Sequence, residues 1–363
     1  MDKRDNLDWR DRSSVAGDVV SFRYTEPSIE SGFEEVFVWD VDKTYLDTRW
    51  ASLGDLWRTV MERAFQKKNV PGTGTLLRSL ADDWKTLRRE SVFPVYFITA
   101  SPPQMESRIR EKLELDDVHP VGMFFKDNLR NLRPGRLWRL TKQIGYKIQA
   151  LLQLRLHLRP SVRQILWGDD SESDAIIYSI YSDICARRMT DRALQDLLGQ
   201  LQVTGEQLDV ILDLQERIEP SDPVEKIYIN LATDTDPEYY LKFGRRLFPS
   251  VDAFQTGLDL FQDRRLGLES LLSVARDLRL NYGFERERFE AGLDDLIRRQ
   301  VLGLEALNEL RQPLEQAGFL AAGWEPSIDP RPIIEKRAST VLRLDGVHEP
   351  WVPSAIDYLV EHR

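Results

Sequence analysis

Five short apolar segments, interleaved with helical patterns, constrain the fold of this chain more than anything else in it. They are Val36–Trp39, Val95–Thr99, Val121–Phe125, Gln164–Trp167 and Lys226–Leu231. Between them, apolar residues recur at helical spacing over Leu53–Gln66, Gln104–Leu113, Ile144–Leu154 and Ala175–Ile184. Strands that alternate with helices pair in parallel, because a parallel connection needs a crossover long enough to hold a helix. The expected fold is α/β, three layers about a central parallel sheet. Such sheets hold their chemistry in the crevice at the carboxyl ends of the strands. Three of the five segments run straight into polar residues there: Trp39 into Asp40, Ile98 into Thr99, and Trp167 into Gly168-Asp169. That coincidence predicts one shared site.

At 363 residues the chain exceeds what one compact core usually supports. Residues 1–33 read as a polar extension with little periodicity, and residues 34–238 as the α/β domain. A helical insertion near 190–217 is expected from Leu194, Leu197, Leu198, Leu201, Leu208, Ile211 and Leu212. Residues 239–363 read as a mostly helical C-terminal region, with patterns at Val251–Phe261, Leu268–Leu278 and Phe289–Leu310. Pro326, Pro330 and Pro332 then break the helical pattern.

The net charge of −10 argues against a nucleic-acid binder. A single cysteine, Cys185, excludes an intrachain disulfide and fits a reducing compartment; it follows an apolar helix and reads as a core residue. His119, His157, His348 and His362 have no ligand spacing, so zinc is not expected. Met1–Asp18 is highly charged, has no apolar core segment and does not read as a secretory signal, and no window approaches the ~20 apolar residues of a membrane span. The expectation is a cytoplasmic protein that is able to touch a membrane from the side. The sequence does not indicate an oligomeric state.

Asp40-Val41-Asp42-Lys43-Thr44 follows the first apolar strand. Two carboxylates two residues apart at a strand mouth repel each other unless a cation lies close by. This is the layout of a phosphoryl-transfer enzyme with an aspartate nucleophile. A carboxylate that attacks an anionic phosphoryl group needs the repulsion screened, and Mg²⁺ with hard oxygen ligands does so. On this reading Asp40 is nucleophile and metal ligand, and Asp42 is the acid/base that protonates the leaving alkoxide and then deprotonates water. Three more groups are required, and candidates follow in order. Thr99 offers a hydroxyl to the phosphoryl oxygens, Lys147 (or Lys142) a cation, and Asp169 a further metal carboxylate. Asp174 would bind the metal through water or position another ligand. Ser101 either adds a phosphate contact or begins the helix after Pro102-Pro103.

The order DxDxT, a strand ending in Thr, then Lys, then Gly168-Asp169 through Asp174, resembles the haloacid dehalogenase (HAD)-type phosphatases. Ile98-Thr99-Ala100-Ser101-Pro102, Tyr146-Lys147-Ile148 with Leu151-Leu152, and Ile177-Tyr178 resemble one branch more closely: the catalytic domain of the actin-patch phosphatidate phosphatases and their bacterial relatives. The resemblance covers roughly residues 34–185. It implies a Rossmann-like HAD fold and Mg²⁺-dependent hydrolysis of a phosphomonoester, with phosphatidate at a membrane surface as the first substrate. It also implies Thr99 and Lys147 as phosphate contacts, and Asp40, Asp169 and the backbone carbonyl of Asp42 as metal ligands. Lys43 and Asp170 depart from the family pattern, and the second leaves open which of Asp169 and Asp170 faces the metal. Two alternatives stay open: a phosphatase for a soluble phosphomonoester such as a sugar phosphate or nucleotide, and an idle HAD-fold interaction protein.

Between Lys126 and Arg163 ten Lys/Arg face one acid, Asp127, so this stretch carries +9. Arg130, Arg133, Arg136, Arg139 and Lys142, with Leu137 and Trp138, are either a solvated face or a collar for an anionic lipid surface. Pro71-Gly72-Thr73-Gly74-Thr75 lacks the lysine of a phosphate loop and reads as a turn ahead of a helix.

Overall fold

The computed structural model describes residues 9–47, 69–88, 90–127, 143–171, 173–232, 234–328, 341–342 and 348–359. Its main strands are β1 (Ser13–Ala16), β2 (Val19–Arg23), β3 (Glu35–Asp40), β4 (Val95–Thr99), β5 (Gly122–Lys126), β6 (Arg163–Asp169), β7 (Val224–Asn230) and β8 (Leu247–Ser250). Its longer helices are α1 (Thr73–Arg88), α2 (Glu106–Leu115), α3 (Ile144–His157), α4 (Asp174–Ala186), α5 (Asp191–Gln200), α6 (Gly205–Arg217), α7 (Ala253–Gln262), α8 (Leu268–Tyr282), α9 (Arg286–Arg298) and α10 (Leu304–Gln316). The helix expected over Leu53–Gln66 lies outside the described residues. The chain forms two compact units, one from Met1–Lys67, Pro94–Ile229 and Ala355–Arg363, the other from Lys68–Phe93 and Asn230–Ser354.

In the first unit seven strands stand in the order β1-β2-β5-β4-β3-β6-β7. β3 is parallel to β4 on one side and to β6 on the other, with Trp39 opposite both Phe97 and Trp167. Every residue of β3 is buried, as its unbroken apolar run requires of a strand covered on both faces. Trp39 stacks on Trp167 with ring centroids 4.6 Å apart, and Trp167 on Tyr228 at 4.7 Å, so the centre of the sheet is held by an aromatic ladder. From β3 the chain builds outward to β4 and β5 on one flank, then to β6 and β7 on the other. That reversal opens a crevice at the carboxyl end of β3, where Asp40 stands. The helix α3 is buried from Ile144 to Arg155 and α4 from Asp174 to Cys185, which fits their apolar residues all round. The insertion near 190–217 is two helices, each begun by a threonine side chain that accepts a backbone N–H, Thr190 from Ala193 and Thr204 from Gln207.

Of residues 1–33, expected as a polar extension, the structure describes 9–33. Over Ser13–Arg23 they form a hairpin whose second strand pairs antiparallel with β5, from Val19↔Lys126 to Arg23↔Gly122. The sheet is therefore mostly parallel with an antiparallel flank. Val19, Val20 and Phe22 are buried there, and Phe22 meets Phe125 edge-on at 5.5 Å. The run is short and flanked by charge, so its apolar content is hidden in a composition that reads as polar.

In the second unit α1 packs against α7 and α8. Thr75 Oγ1 donates to Asp277 Oδ2 (2.8 Å), and Asp83 Oδ2 accepts the N–H of Gly267 (2.6 Å). Gly72 has φ +78°, and a Cβ there would lie 2.9 Å from Ala253 Cβ and from Leu278 Cδ2. Gly72 thus serves a tight turn and a close helix approach. The pattern at Phe289–Leu310 divides into α9 and α10 at Gly303. Past the second unit, Tyr358 returns to the first, where it is buried and its hydroxyl donates to Asp183 Oδ2 on α4 (2.6 Å).

Candidate active site

The end of β3 delivers Asp40 into the crevice with 1% exposure. Beyond it the chain makes one tight turn. Tyr45 and Leu46 donate their N–H groups to Val41 O (3.1 and 2.9 Å), and Lys43 N–H donates to Leu46 O (2.8 Å). Lys43 takes φ +60°, which completes the turn. Thr44 Oγ1 donates back to Asp40 Oδ2 (3.2 Å), and Thr99 Oγ1, at the end of β4, donates to Asp42 Oδ2 (2.9 Å). The amide of Ser101 donates to the same Thr99 oxygen (3.0 Å), which aims its proton at Asp42. Asp42 is half-buried and so has access to water, unlike Asp40. Tyr45, buried against Trp39 and Phe97, anchors the turn through a 2.5 Å hydrogen bond to Asp116 Oδ2.

From α3, Lys147 reaches the cluster with 1% exposure, 2.8 Å from Asp40 Oδ1 and 2.6 Å from Asp174 Oδ1. Asp169 ends β6 and Asp174 opens α4. The Asp169 N–H donates to Asp174 Oδ2 (3.2 Å), which fixes the loop between them. Gly168 is required by this approach, since a Cβ there would lie 2.4 Å from Asp174 Cβ. Asp40, Asp169 and Asp174 each place a carboxylate oxygen within 4.8 Å of the others, and all three are buried. Among the described residues, the three carboxylates outnumber the one lysine set between them in a low-dielectric pocket, and the donors are hard oxygens. That donor set fits a divalent cation. Asp169, not Asp170, belongs to this cluster, while Asp170 is half-exposed.

Two tyrosines hold the strand ends around it. Tyr146 Oη donates towards Thr99 O (2.7 Å) and Phe124 O (2.9 Å), and Tyr178 Oη to Trp167 O (2.8 Å). Burial pushes both phenols well above their ordinary range, so both stay protonated as donors. Sequence reasoning missed these roles, although each tyrosine stood beside a residue it singled out. It also missed the contact of Lys43 Nζ with Ser171 Oγ (3.0 Å).

The structure brings Asp40, Asp42, Thr99, Ser101, Lys147, Asp169 and Asp174 to one strand mouth. Lys142 and the basic residues Arg130, Arg133, Arg136 and Arg139, with Leu137 and Trp138, lie outside the described residues. Cys185 is buried at the end of α4, its thiol pushed up to about 12 by burial, and takes no part in the site.

Residues 36–191 match the family model described as phosphatidate phosphatase APP1, catalytic domain. The match covers 156 of the 363 residues. The APP1-type domain is accordingly a phosphatase, a phosphoric monoester hydrolase, on a mostly parallel α/β sheet. No curated protein and no solved structure gives a significant match. Among the described residues no helix is long and apolar enough to cross a membrane.

Proposed function

We propose that the APP1-type domain hydrolyses phosphatidate, a phosphomonoester lipid, through an aspartyl phosphate on Asp40 with Mg²⁺ as cofactor. The observation that carries this reading is the meeting of Asp40, Asp169 and Asp174 around Lys147 at the switch point of the sheet. Mg²⁺ held by Asp40, Asp169 and Asp174, with the backbone carbonyl of Asp42, would offset the repulsion between Asp40 and the anionic phosphoryl group.

Asp40 attacks phosphorus, so that the new P–O bond to its carboxylate forms as the bond to the leaving alkoxide breaks. Asp42, in its protonated state, gives its proton to that alkoxide. Asp42 then takes a proton from water, whose oxygen attacks phosphorus and frees Asp40 and inorganic phosphate. The greater exposure of Asp42, which gives it access to water, supports this division of labour. Thr99, Ser101 and Lys147 are the contacts for the phosphoryl oxygens.

The test is phosphate release from micellar phosphatidate, compared with soluble phosphomonoesters, in Mg²⁺ and after chelation. Turnover of the lipid that depends on Mg²⁺ and is lost in Asp40→Asn is the expected result. Preferential turnover of a soluble ester refutes the substrate, and equal release by wild type and Asp40→Asn refutes the mechanism.

A further inference from the structure

Lys43 is unusual on two counts. It is a non-glycine residue at φ +60°, a conformation that only glycine adopts freely. Its exposed side chain nevertheless leaves the turn after β3 and crosses to the loop after β6, where Nζ donates to Ser171 Oγ (3.0 Å). Ser171 in turn is committed to Asp169. Its N–H donates to Asp169 Oδ1 (2.6 Å), and its hydroxyl contacts the same oxygen. A serine hydroxyl has one proton and two lone pairs, so the directions follow. The ammonium donates to Oγ, and the hydroxyl gives its proton to the carboxylate.

We infer that Lys43 is a positioning residue which, through Ser171, fixes the Asp169 carboxylate and thereby raises the affinity of the cluster for a divalent cation. The inference rests on reading Asp40, Asp169 and Asp174 as a cation site. Outer partners that orient a ligand typically change metal affinity by about 10- to 100-fold, and an exposed partner acting at one remove belongs at or below the low end. The inference runs against the simplest electrostatics. A positive charge beside a cation site weakens binding by repulsion, so a lysine that acts only by charge would bind the cation better when removed. Positioning and charge therefore predict opposite signs for the same substitution.

The experiment is calorimetric titration of the chelator-stripped full chain with Mg²⁺, without substrate, for wild type, Lys43→Met, Ser171→Ala, the double variant and Lys43→Arg. Melting curves in chelator check that each variant is folded. Positioning predicts that Lys43→Met and Ser171→Ala each weaken binding about fivefold to tenfold. It also predicts that the double variant is no worse than either, and that Lys43→Arg recovers most of the loss. Unchanged or tighter binding in Lys43→Met overturns the inference, as do an unchanged Ser171→Ala and additive losses in the double variant. If wild type binds no Mg²⁺, the cation site itself fails and this inference with it. If wild type binds and the variants match it, only the role of Lys43 fails.

Discussion

Replacing Lys147 with methionine, which keeps the length of the side chain and removes its charge, tests the electrostatic centre of the site. Lys147 Nζ lies 2.8 Å from Asp40 Oδ1 and 2.6 Å from Asp174 Oδ1, and none of the three side chains exceeds 1% exposure. At an effective dielectric constant of about 20, each contact is worth about 6 kcal/mol before desolvation. Withdrawing the ammonium from water costs several kcal/mol, so the net loss is smaller than the sum. Breaking a buried pair from one side typically costs about 3–5 kcal/mol, because the remaining charges stay buried. For a domain of this size that loss lowers the melting temperature by roughly 6–20 °C. The assay is thermal unfolding in chelator and again in Mg²⁺. Lys147→Met should melt well below wild type in chelator and gain more from Mg²⁺, since the cation then supplies the missing charge; a ligand at 100 times its Kd stabilises by about 2.7 kcal/mol. Adding Asp174→Asn to Lys147→Met should restore part of the stability by removing one stranded carboxylate. If Lys147→Met melts within about 2 °C of wild type in chelator, a change under about 1 kcal/mol, the lysine does not neutralise this cluster and the reasoning fails.

Asp42→Asn should lower the phosphatase rate, measured as phosphate release, by about 10²- to 10⁴-fold, because the proton transfers of both half-reactions are lost with the carboxylate. Gly168→Ala, which would place a methyl carbon 2.4 Å from Asp174 Cβ, should abolish Mg²⁺ binding in calorimetry, while a Gly199→Ala control, at a position open to solvent, leaves it intact. Tyr146→Phe removes a donor shared by Thr99 O and Phe124 O and should cost about 1–3 kcal/mol in urea unfolding, with a drop in activity from the displaced strand end. Cys185, with its thiol held near 12, should stay unlabelled by a thiol reagent at neutral pH until the protein unfolds.

The central strands were legible because burial on both faces demands continuous apolar runs, and Val36–Trp39 and Gln164–Trp167 are such runs. Asp40, Asp42, Thr99 and Asp169 were legible because each follows its strand directly, so position along the chain fixes position in the crevice. Asp174 was only half legible. Its place at the start of α4 is clear from the sequence, but its pairing with Lys147 depends on how two helices approach. The hairpin at Ser13–Arg23 was hidden because its pairing partner, β5, lies about a hundred residues away and its own pattern is short. The joining of α1 to the C-terminal helices was hidden for a related reason. An apolar face shows that a helix packs, but not on what. Lys43 was seen as a departure from a family pattern, and nothing local shows that its side chain reaches Ser171.

The chain passes between its two units at four places, after Lys67, Phe93, Ile229 and Ser354. Neither unit can therefore be excised as one continuous fragment. A single proteolytic nick in the stretch between β3 and β4 would give pieces that each hold part of the sheet of the first unit, and they should elute together until denatured. Expression of residues 36–191 alone would omit the β1–β2 hairpin, β7 and the Tyr358 anchor on α4, exposing apolar residues on both flanks of the sheet. A soluble catalytic fragment should therefore keep the β1–β2 hairpin, β7 and Tyr358 rather than end at the limits of the family match.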